Sequence, residues 1–169
     1  MTGVQTCALP IWQYQVGVIP GHRSSDSLLY QELFTETMLL YCGAEHALFA
    51  ADTQAMDWDD VRAHRFAGLG YHSPNMEISQ QVRLPRKATG FDQESIATLI
   101  LSGRYLGFLP DHYADGFVRA RQMRAIKPTL FRYSCSFFGI VRRAPQPARV
   151  TRAFYQCLAD AHPQAVVAT

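Results

Sequence analysis

The chain has 169 residues, of which 48% are hydrophobic and 18% are charged, and its formal net charge is +2. A charged share below the usual quarter, beside this many apolar residues, excludes a disordered or polyelectrolyte chain. The small net charge does not indicate a nucleic-acid-binding surface. The sequence contains no run of about 20 apolar residues, so no membrane-spanning helix is predicted.

The first residues do not fit the rest of the chain. Residues 1–11 read MTGVQTCALPI, which lacks the basic start and apolar run of a signal peptide. The segment resembles a conceptual translation of a common short-read sequencing adapter. We therefore expect residues 1–12 to be non-native, and the native protein to begin near Gln13 inside a longer gene.

Strand patterns dominate the next thirty residues. Residues 13–20, QYQVGVIP, carry alternating β-branched residues and end in a Pro-Gly turn, which predicts a strand. Residues 29–42 are rich in Leu, Phe, Tyr and Met and have a polar break at residues 35–37. They predict two strands or one kinked strand. A connector over residues 43–57 follows, in which Asp57 is the expected N-cap of a short helix over residues 58–63.

Strands and helices alternate in the middle of the chain. Residues 65–71 predict a buried strand, and Ser73 and Pro74 predict an N-cap and the first residue of a helix to Val82. Further strands are predicted over residues 86–89 and 105–109. Between them lies the clearest helix, which opens at Phe91-Asp92, ends at Gly103 and has one apolar face formed by Ile96, Leu99 and Ile100.

The last third predicts two strands and a helix. The strands cover residues 123–126 and 130–141, and the helix begins at Gln146 or Pro147 and ends before Pro163, leaving a loose tail over residues 163–169. Its expected apolar face carries Val150, Phe154, Cys157 and Leu158. The alternation of strand and helix predicts an α/β architecture with a largely parallel sheet.

Cysteine and arginine positions suggest ordinary structural roles. The spacing of the cysteines forms no CxxC pair or zinc motif, so Cys42, Cys135 and Cys157 are expected to be buried, reduced thiols of a cytoplasmic protein. Arg119, Arg121 and Arg124 are expected to lie on a solvated surface.

Catalytic motifs are absent from the sequence. It has no GxSxG, HExxH or P-loop, and the GxG of residues 68–70 lacks a third glycine. The chain is therefore not expected to be an enzyme, and no cofactor or metal is predicted. The helix starts at Ser73 and Asp92 follow strand ends, where backbone N–H groups favour an anion. Either a small-molecule cleft lies there, or both caps only finish their helices.

Two stretches resemble the effector-binding domain of LysR-type transcriptional regulators. Residues 33–48, LFTETMLLYCGAEHAL, are similar to the strand that leaves the first subdomain and ends in an HPL segment, with Ala47 in place of the proline. Residues 95–110, SIATLILSGRYLGFLP, are similar to the family's helix, glycine turn and strand ending in proline. Solute-binding proteins share this fold.

The resemblance implies an α/β, periplasmic-binding-protein-like (type II) fold of two subdomains, with the effector bound between them and the first subdomain incomplete. Residues 13–42 and 138–162 would form the first subdomain, and residues 46–128 the second. It also implies a cytoplasmic regulator whose DNA-binding domain lies before Gln13 and whose parent self-associates as a dimer or tetramer. The implied ligand is a small carboxylate or other anion, and no membrane contact is implied.

The loops after the strands supply the candidate effector site. Ser73 would take the anion, while Tyr71, His72 and Phe91 would shape the pocket. The full set of candidates is Pro20, Gly21, His22, Tyr71, His72, Ser73, Gly90, Phe91, Asp92, Leu109 and Pro110.

Two other functions remain open on the sequence alone. A solute-binding protein of the same fold would serve a transporter, and its gene would begin with a signal peptide. An enzyme on this fold is disfavoured because no catalytic set is visible. The gene sequence upstream of Gln13 separates the regulator from the transporter component.

Overall fold

The computed structural model of the protein describes residues 15–21, 25–70 and 74–162. Its helices and strands follow one another with short connections, apart from the segment over residues 44–57. In chain order they are β1 (Val16–Pro20), β2 (Leu28–Gly43), α1 (Trp58–Arg62), β3 (Phe66–Leu69), α2 (Pro74–Gln81), β4 (Arg86–Gly90), α3 (Gln93–Leu101), β5 (Leu106–Pro110), α4 (Asp111–Arg119), β6 (Met123–Ala125), β7 (Arg132–Arg142) and α5 (Arg149–Ala161).

The chain divides into two compact units. The central unit is Glu36–Ser134, and the terminal unit combines the chain up to Thr35 with the chain from Cys135 onward. Strands β2 and β7 contribute residues to both units, because each division falls inside one of these strands.

The terminal unit has the strand order β1-β7-β2 with one helix on it. Strand β1 pairs antiparallel with β7 over its whole length, from Val16 opposite Val141 to Pro20 opposite Phe137. Helix α5 is fixed to this sheet because the Tyr155 hydroxyl donates to the Gly139 carbonyl at 3.0 Å.

The central unit has a mixed sheet in the order β2-β5-β3-β4, with β6 paired to β2. Strand β3 is parallel to β4 and to β5, whereas β2 is antiparallel to β5 and to β6. All four residues of β3 and all five of β5 are buried, as expected for strands covered on both faces. The α/β prediction is confirmed, but the prediction of a largely parallel sheet is wrong, because only β3, β4 and β5 run parallel among the described strands.

Helix α3 covers one face of this sheet as its periodicity predicts. Ile96, Ala97 and Ile100 are buried and pack with Leu109 and Met123 in the core of the central unit. The helix ends at Leu101 with Ser102 as its C-cap, and Gly103 takes φ +70°. The prediction of a helix-ending glycine is confirmed, since this left-handed conformation disfavours a side chain and a β-carbon there would lie 2.5 Å from Cβ of Glu45.

The connector over residues 44–57 is held to β6 by one arginine. The Arg124 guanidinium donates to the carbonyls of Phe49 at 2.7 Å and Ala51 at 2.8 Å, and reaches the Thr53 hydroxyl at 3.4 Å. Arg124 is partly buried, so the expected solvated role is wrong for this residue. It is a cationic anchor that satisfies backbone carbonyls of a segment without regular structure. Exposed Arg119 pairs with Asp115, at 3.0 Å.

The expectations for three elements have different outcomes. Strand β2 is a single strand of 16 residues, so the one-strand alternative is the correct one. Helix α4 was not predicted, although Tyr113, Ala114 and Phe117 follow helical spacing, because Gly116 disfavours a helix in a segment this short. Helix α1 is confirmed, and the carboxylate of Asp57 caps it in a reciprocal arrangement with Asp60.

The apolar face predicted for α5 is not its buried face. Val150 is 73% exposed, Phe154 is 56% exposed, and Cys157 is also exposed. Thr151 is buried instead, and Tyr155 contacts the sheet. The expectation of a buried thiol holds for Cys42 and Cys135 and is wrong for Cys157.

None of the described helices combines the length and the apolar character that spanning a bilayer requires. Within the same residues, no group of three or more His, Cys, Asp or Glu side chains is arranged to hold a metal ion.

Candidate functional site

The carboxyl ends of three parallel strands meet at one edge of the central unit's sheet. Strand β3 lies between β5 and β4, with Leu69 opposite Gly90, and the Gly70 N–H donates to the Gly90 carbonyl at 2.8 Å. Helix α3 starts three residues after Gly90, and α4 starts directly after Pro110. Strand ends and helix N-termini therefore converge here, which is where α/β folds bind ligands.

Phe91 places an exposed aromatic ring at this edge. It is 70% exposed, more than Phe154 at 56%, the other exposed phenylalanine among the described residues. The ring lies against Gly70, where an added β-carbon would approach its Cε1 atom to 2.8 Å. A flat apolar surface held at the end of a sheet can stack on a ligand, and the glycine beneath it supplies the space.

Asp92 serves as the N-cap of α3. Its carboxylate accepts the Ser95 N–H at 2.7 Å. The hydrogen bonds from the side chain and backbone of Ser95 lower the pKa of Asp92. A capping carboxylate already occupies the positive end of the helix, so this N-terminus does not favour a second anion.

Pro110 is the N-cap of α4 and makes no side-chain capping hydrogen bond. The first helical residue is Asp111. The Asp111 carboxylate accepts the N–H of His112 at 2.7 Å. Leu109, by contrast, is fully buried in the core of the central unit, so its side chain does not face the edge. Helix α4 therefore also presents a carboxylate at its start.

Glu36 and His112 form an acid–base pair beside this helix start. His112 Nε2 lies 3.7 Å from Glu36 Oε1, and the Glu36 side chain is only 17% exposed. Burial raises the pKa of Glu36, the charge of His112 opposes this shift, and Asp111 adds to it. Glu36 lies in the polar break of β2, from which the sequence predicted only a division or kink of the strand.

Tyr113 of α4 interacts electrostatically with acidic residues at the start of α3. Its pKa is raised first by burial and then by the negative charges of Glu94 and Asp92. Its ring lies 6.0 Å from that of Phe117. Glu36, Asp111, His112 and Tyr113 were all missed in the sequence, because the helix that carries three of them was not recognised.

The remaining candidates lie elsewhere. Pro20 and Gly21 belong to the terminal unit, at the end of β1, where the Gly21 N–H donates to the Ser136 carbonyl at 2.8 Å. The structure thus brings Gly90, Phe91, Asp92 and Pro110 to one edge of the central unit. The candidates outside the described residues are His22, Tyr71, His72 and Ser73.

Comparison with protein families gives one match over most of the chain. Residues 13–163 match the model of the LysR substrate binding domain. The chain is also similar to the HTH-type transcriptional activator BauR of Pseudomonas aeruginosa, with 32% identity over 144 residues. The match covers 85% of this chain and 47% of the relative, so the chain spans about half the relative's length.

Solved structures share the fold at low sequence identity. The CcmR regulatory domain of Synechocystis PCC6803 in complex with 2-PG has a TM-score of 0.70 at 11% identity, covering 92% of this chain and 77% of that one. Full-length HypT of Salmonella typhimurium, a hypochlorite-specific LysR-type transcriptional regulator, has a TM-score of 0.71 at 10% identity, covering 92% and 54%. The effector domain of AmpR from Pseudomonas aeruginosa has a TM-score of 0.66 at 14% identity, covering 90% and 74%. These likenesses establish the type of fold.

Proposed function

The chain belongs to the LysR substrate-binding domain family, and on that premise we propose that it is the effector-sensing part of a LysR-type DNA-binding transcriptional regulator. The family match over residues 13–163 is the observation that carries the proposal. The similarity to a transcriptional activator supports it and favours the regulator over a transporter's solute-binding protein. The terminal unit then corresponds to the first subdomain and the central unit to the second.

The effector binds, in this proposal, at the edge of the central unit that carries Gly90, Phe91, Asp92 and Pro110. Phe91 supports this assignment because a 70% exposed ring at a strand end has no role in the core. A ligand that binds one arrangement of the regulator better than another shifts their populations, and the difference in affinity sets the size of the response.

The effector is a small carboxylate or other anion, and α2 is the helix that receives it. Asp92 and Asp111 place negative charge at the starts of α3 and α4, so those two N-termini repel an anion. Helix α2 begins at Pro74 and has Glu77 only later in its first turn. Ser73, the predicted N-cap, precedes it and would contribute its hydroxyl.

Further parts of the proposal concern the parent protein. It acts in the cytoplasm, where its DNA is, and contacts DNA only through a domain outside this chain. It self-associates as a dimer or tetramer. Ligand binding, rather than catalysis, is the role of the domain, and no cofactor takes part.

The gene upstream of Gln13 provides the first test. A winged helix-turn-helix followed by a long helix is expected, and a signal peptide in that place would overturn the proposal. A promoter reporter driven by the complete gene then tests regulation directly: deletion of the gene should change the transcription of an adjacent promoter.

The site is tested by ligand screening on the complete regulator. Thermal shift with a panel of small carboxylates and their matching amides should give hits among the acids only. For any hit, Phe91→Ala should weaken binding at least tenfold, and Ser73→Ala should weaken it for the acid. Leu130→Ala, which removes a 39% exposed apolar side chain elsewhere, is the control and should leave affinity unchanged. Equal binding of acid and amide would refute the anion, and full affinity of the Phe91 variant would refute the site.

A further inference from the structure

The Arg86 side chain reaches the carboxyl end of the neighbouring strand. Arg86 is the first residue of β4 and lies opposite Phe66, the first residue of β3. Its guanidinium nevertheless donates, through Nη1, to the carbonyl of Leu69 at 3.0 Å, and Leu69 is the last residue of β3. The charged group therefore lies at the edge of the sheet where the parallel strands end.

The pairing of β3 with β4 is irregular at Arg86. Phe66 is opposite Arg86, but the next residue, Ala67, is opposite Ala88, so the register passes over Lys87. An extra residue in one strand changes the direction of the side chains beside it, and such bulges are common next to binding sites. The irregularity lies at the residue whose charged group reaches the strand end.

The guanidinium and the exposed ring of Phe91 meet at Gly70. The carbonyl of Leu69, which accepts from Arg86, belongs to the peptide bond that joins Leu69 to Gly70. The ring of Phe91 lies against the same glycine, 2.8 Å from the position that a β-carbon would take. A cationic group and an apolar surface are therefore side by side at the end of β3.

Most of the hydrogen-bonding capacity of this guanidinium is not used within the described chain. An arginine side chain has five N–H donors in a planar fork. Among the residues that the structure describes, Arg86 donates from its side chain only to the Leu69 carbonyl, and no carboxylate lies within ion-pair distance of it. A cation with donors to spare at a strand end can bind an anion from solution.

We propose that Arg86 selects a carboxylate at the candidate effector site by pairing its guanidinium with that group beside the Phe91 ring. The inference rests on the proposed function, because it names the cation for the anionic effector given there. A guanidinium and a carboxylate can form two parallel N–H···O bonds, so the pair fixes orientation as well as charge. Asp92 and Asp111 place negative charge at the starts of α3 and α4, which directs an anion toward Arg86.

Two exposed arginines of the central unit provide a matched pair of variants. Arg86→Met removes the charge and keeps an unbranched side chain of similar length. Arg104→Met makes the same change just before β5 begins, at the opposite edge of the sheet. Arg86→Lys keeps the positive charge but replaces the planar fork with a compact ammonium. Circular dichroism checks that each variant is folded.

Titration of the isotope-labelled 169-residue chain, followed by NMR, tests the proposal. The probes are propionate, succinate and benzoate, each compared with its amide. The wild-type chain and Arg104→Met should bind at least one acid more tightly than its amide. Arg86→Met should bind that acid roughly tenfold or more weakly and lose the preference for the acid, and Arg86→Lys should have an intermediate affinity. An unchanged acid preference in Arg86→Met would overturn the proposal.

Phe91→Ala separates the failure of this inference from the failure of the proposed site. Loss of acid binding in Phe91→Ala, with full acid binding in Arg86→Met, would support the site and overturn the role of Arg86. No binding of any acid by the wild-type chain, or equal binding of acid and amide, would overturn carboxylate selection and with it the anion of the proposed function. A signal peptide upstream of Gln13 would refute the regulator alone, because the titration does not depend on it.

Discussion

The ring of Phe91 occupies the space that a side chain on Gly70 would need. A β-carbon at Gly70 would lie 2.8 Å from Cε1 of Phe91 and 2.6 Å from Cγ2 of Thr89. These two positions follow β3 and β4, so the pair couples two loops of the candidate site through one close contact.

Replacement of this glycine should destabilise the protein. Gly70→Ala forces Phe91 or Thr89 to move, and overpacking of this kind costs about 1–3 kcal/mol of unfolding free energy. Urea unfolding measures it. Gly116→Ala is the matched control, because no atom lies within 4 Å of its β-carbon and the site is inside α4. That change should stabilise the protein by about 0.5–1 kcal/mol. The same sign for both variants would contradict the packing argument.

Loss of the Arg124 side chain should release the connector over residues 44–57. Arg124→Met leaves the carbonyls of Phe49 and Ala51 without their cationic donor. Hydrogen bonds to a charged group contribute about 1.5–3 kcal/mol each, so a loss of a few kcal/mol is expected. Urea unfolding gives the total, and hydrogen exchange should show faster exchange in the connector. Arg119→Met removes only an exposed ion pair and should cost less than about 1 kcal/mol. Equal losses would show that Arg124 is not an anchor.

His46 should make stability depend on pH below neutrality. Its Nδ1 accepts the Leu48 N–H at 3.1 Å, and burial, followed by the nearby charge of His64, lowers its pKa below 6.5. The unfolded chain then binds a proton that the folded chain does not. The contribution of His46 to the free energy of unfolding is therefore fully present above pH 6.5. It falls as the pH falls from there toward the folded-state pKa.

Melting temperatures between pH 7.5 and pH 5 check this linkage. His46→Gln should flatten the profile, and the exposed His112→Gln should leave the contribution of His46 in place. His64→Gln should remove a smaller part of the slope, because burial is the larger cause. An unchanged slope in His46→Gln would refute the assignment.

The contribution of Glu36 to stability should depend on pH in the opposite direction to that of His46. Burial raises its pKa above 4.5, so the folded state binds the proton more tightly than the unfolded state. Its contribution is favourable below pH 4.5 and is lost as the pH rises through the folded-state pKa. Glu36→Gln should therefore be more stable than the wild type at pH 7 and lose this advantage near pH 4. Melting temperatures at pH 7 and pH 4 test this prediction, with the exposed Glu45→Gln as control. A destabilised variant at pH 7 would show that the charged form of Glu36 is favoured.

Local sequence patterns identified most of the central unit. Asp57, Asp92 and Gly103 take the capping positions that their residue types favour, because caps depend on a few neighbouring backbone atoms. Helix α4 was missed, since Gly116 disfavours a helix in so short a segment. The roles of Gly70, Glu36 and Arg124 could not be predicted, because each depends on a residue far away in the chain.

The sequence by itself determined the family, the alternation of strand and helix, and the order in which Phe91, Asp92 and Pro110 follow their strands. Those features depend on residue type and local spacing. Only the tertiary structure decided that the central sheet is mixed, that Arg124 is partly buried and that Val150 and Phe154 of α5 are exposed. An apolar stripe shows that a helix has a surface to bury, but what it packs against depends on contacts between distant segments. For α5 the sheet covers Thr151 and leaves Val150 and Phe154 exposed.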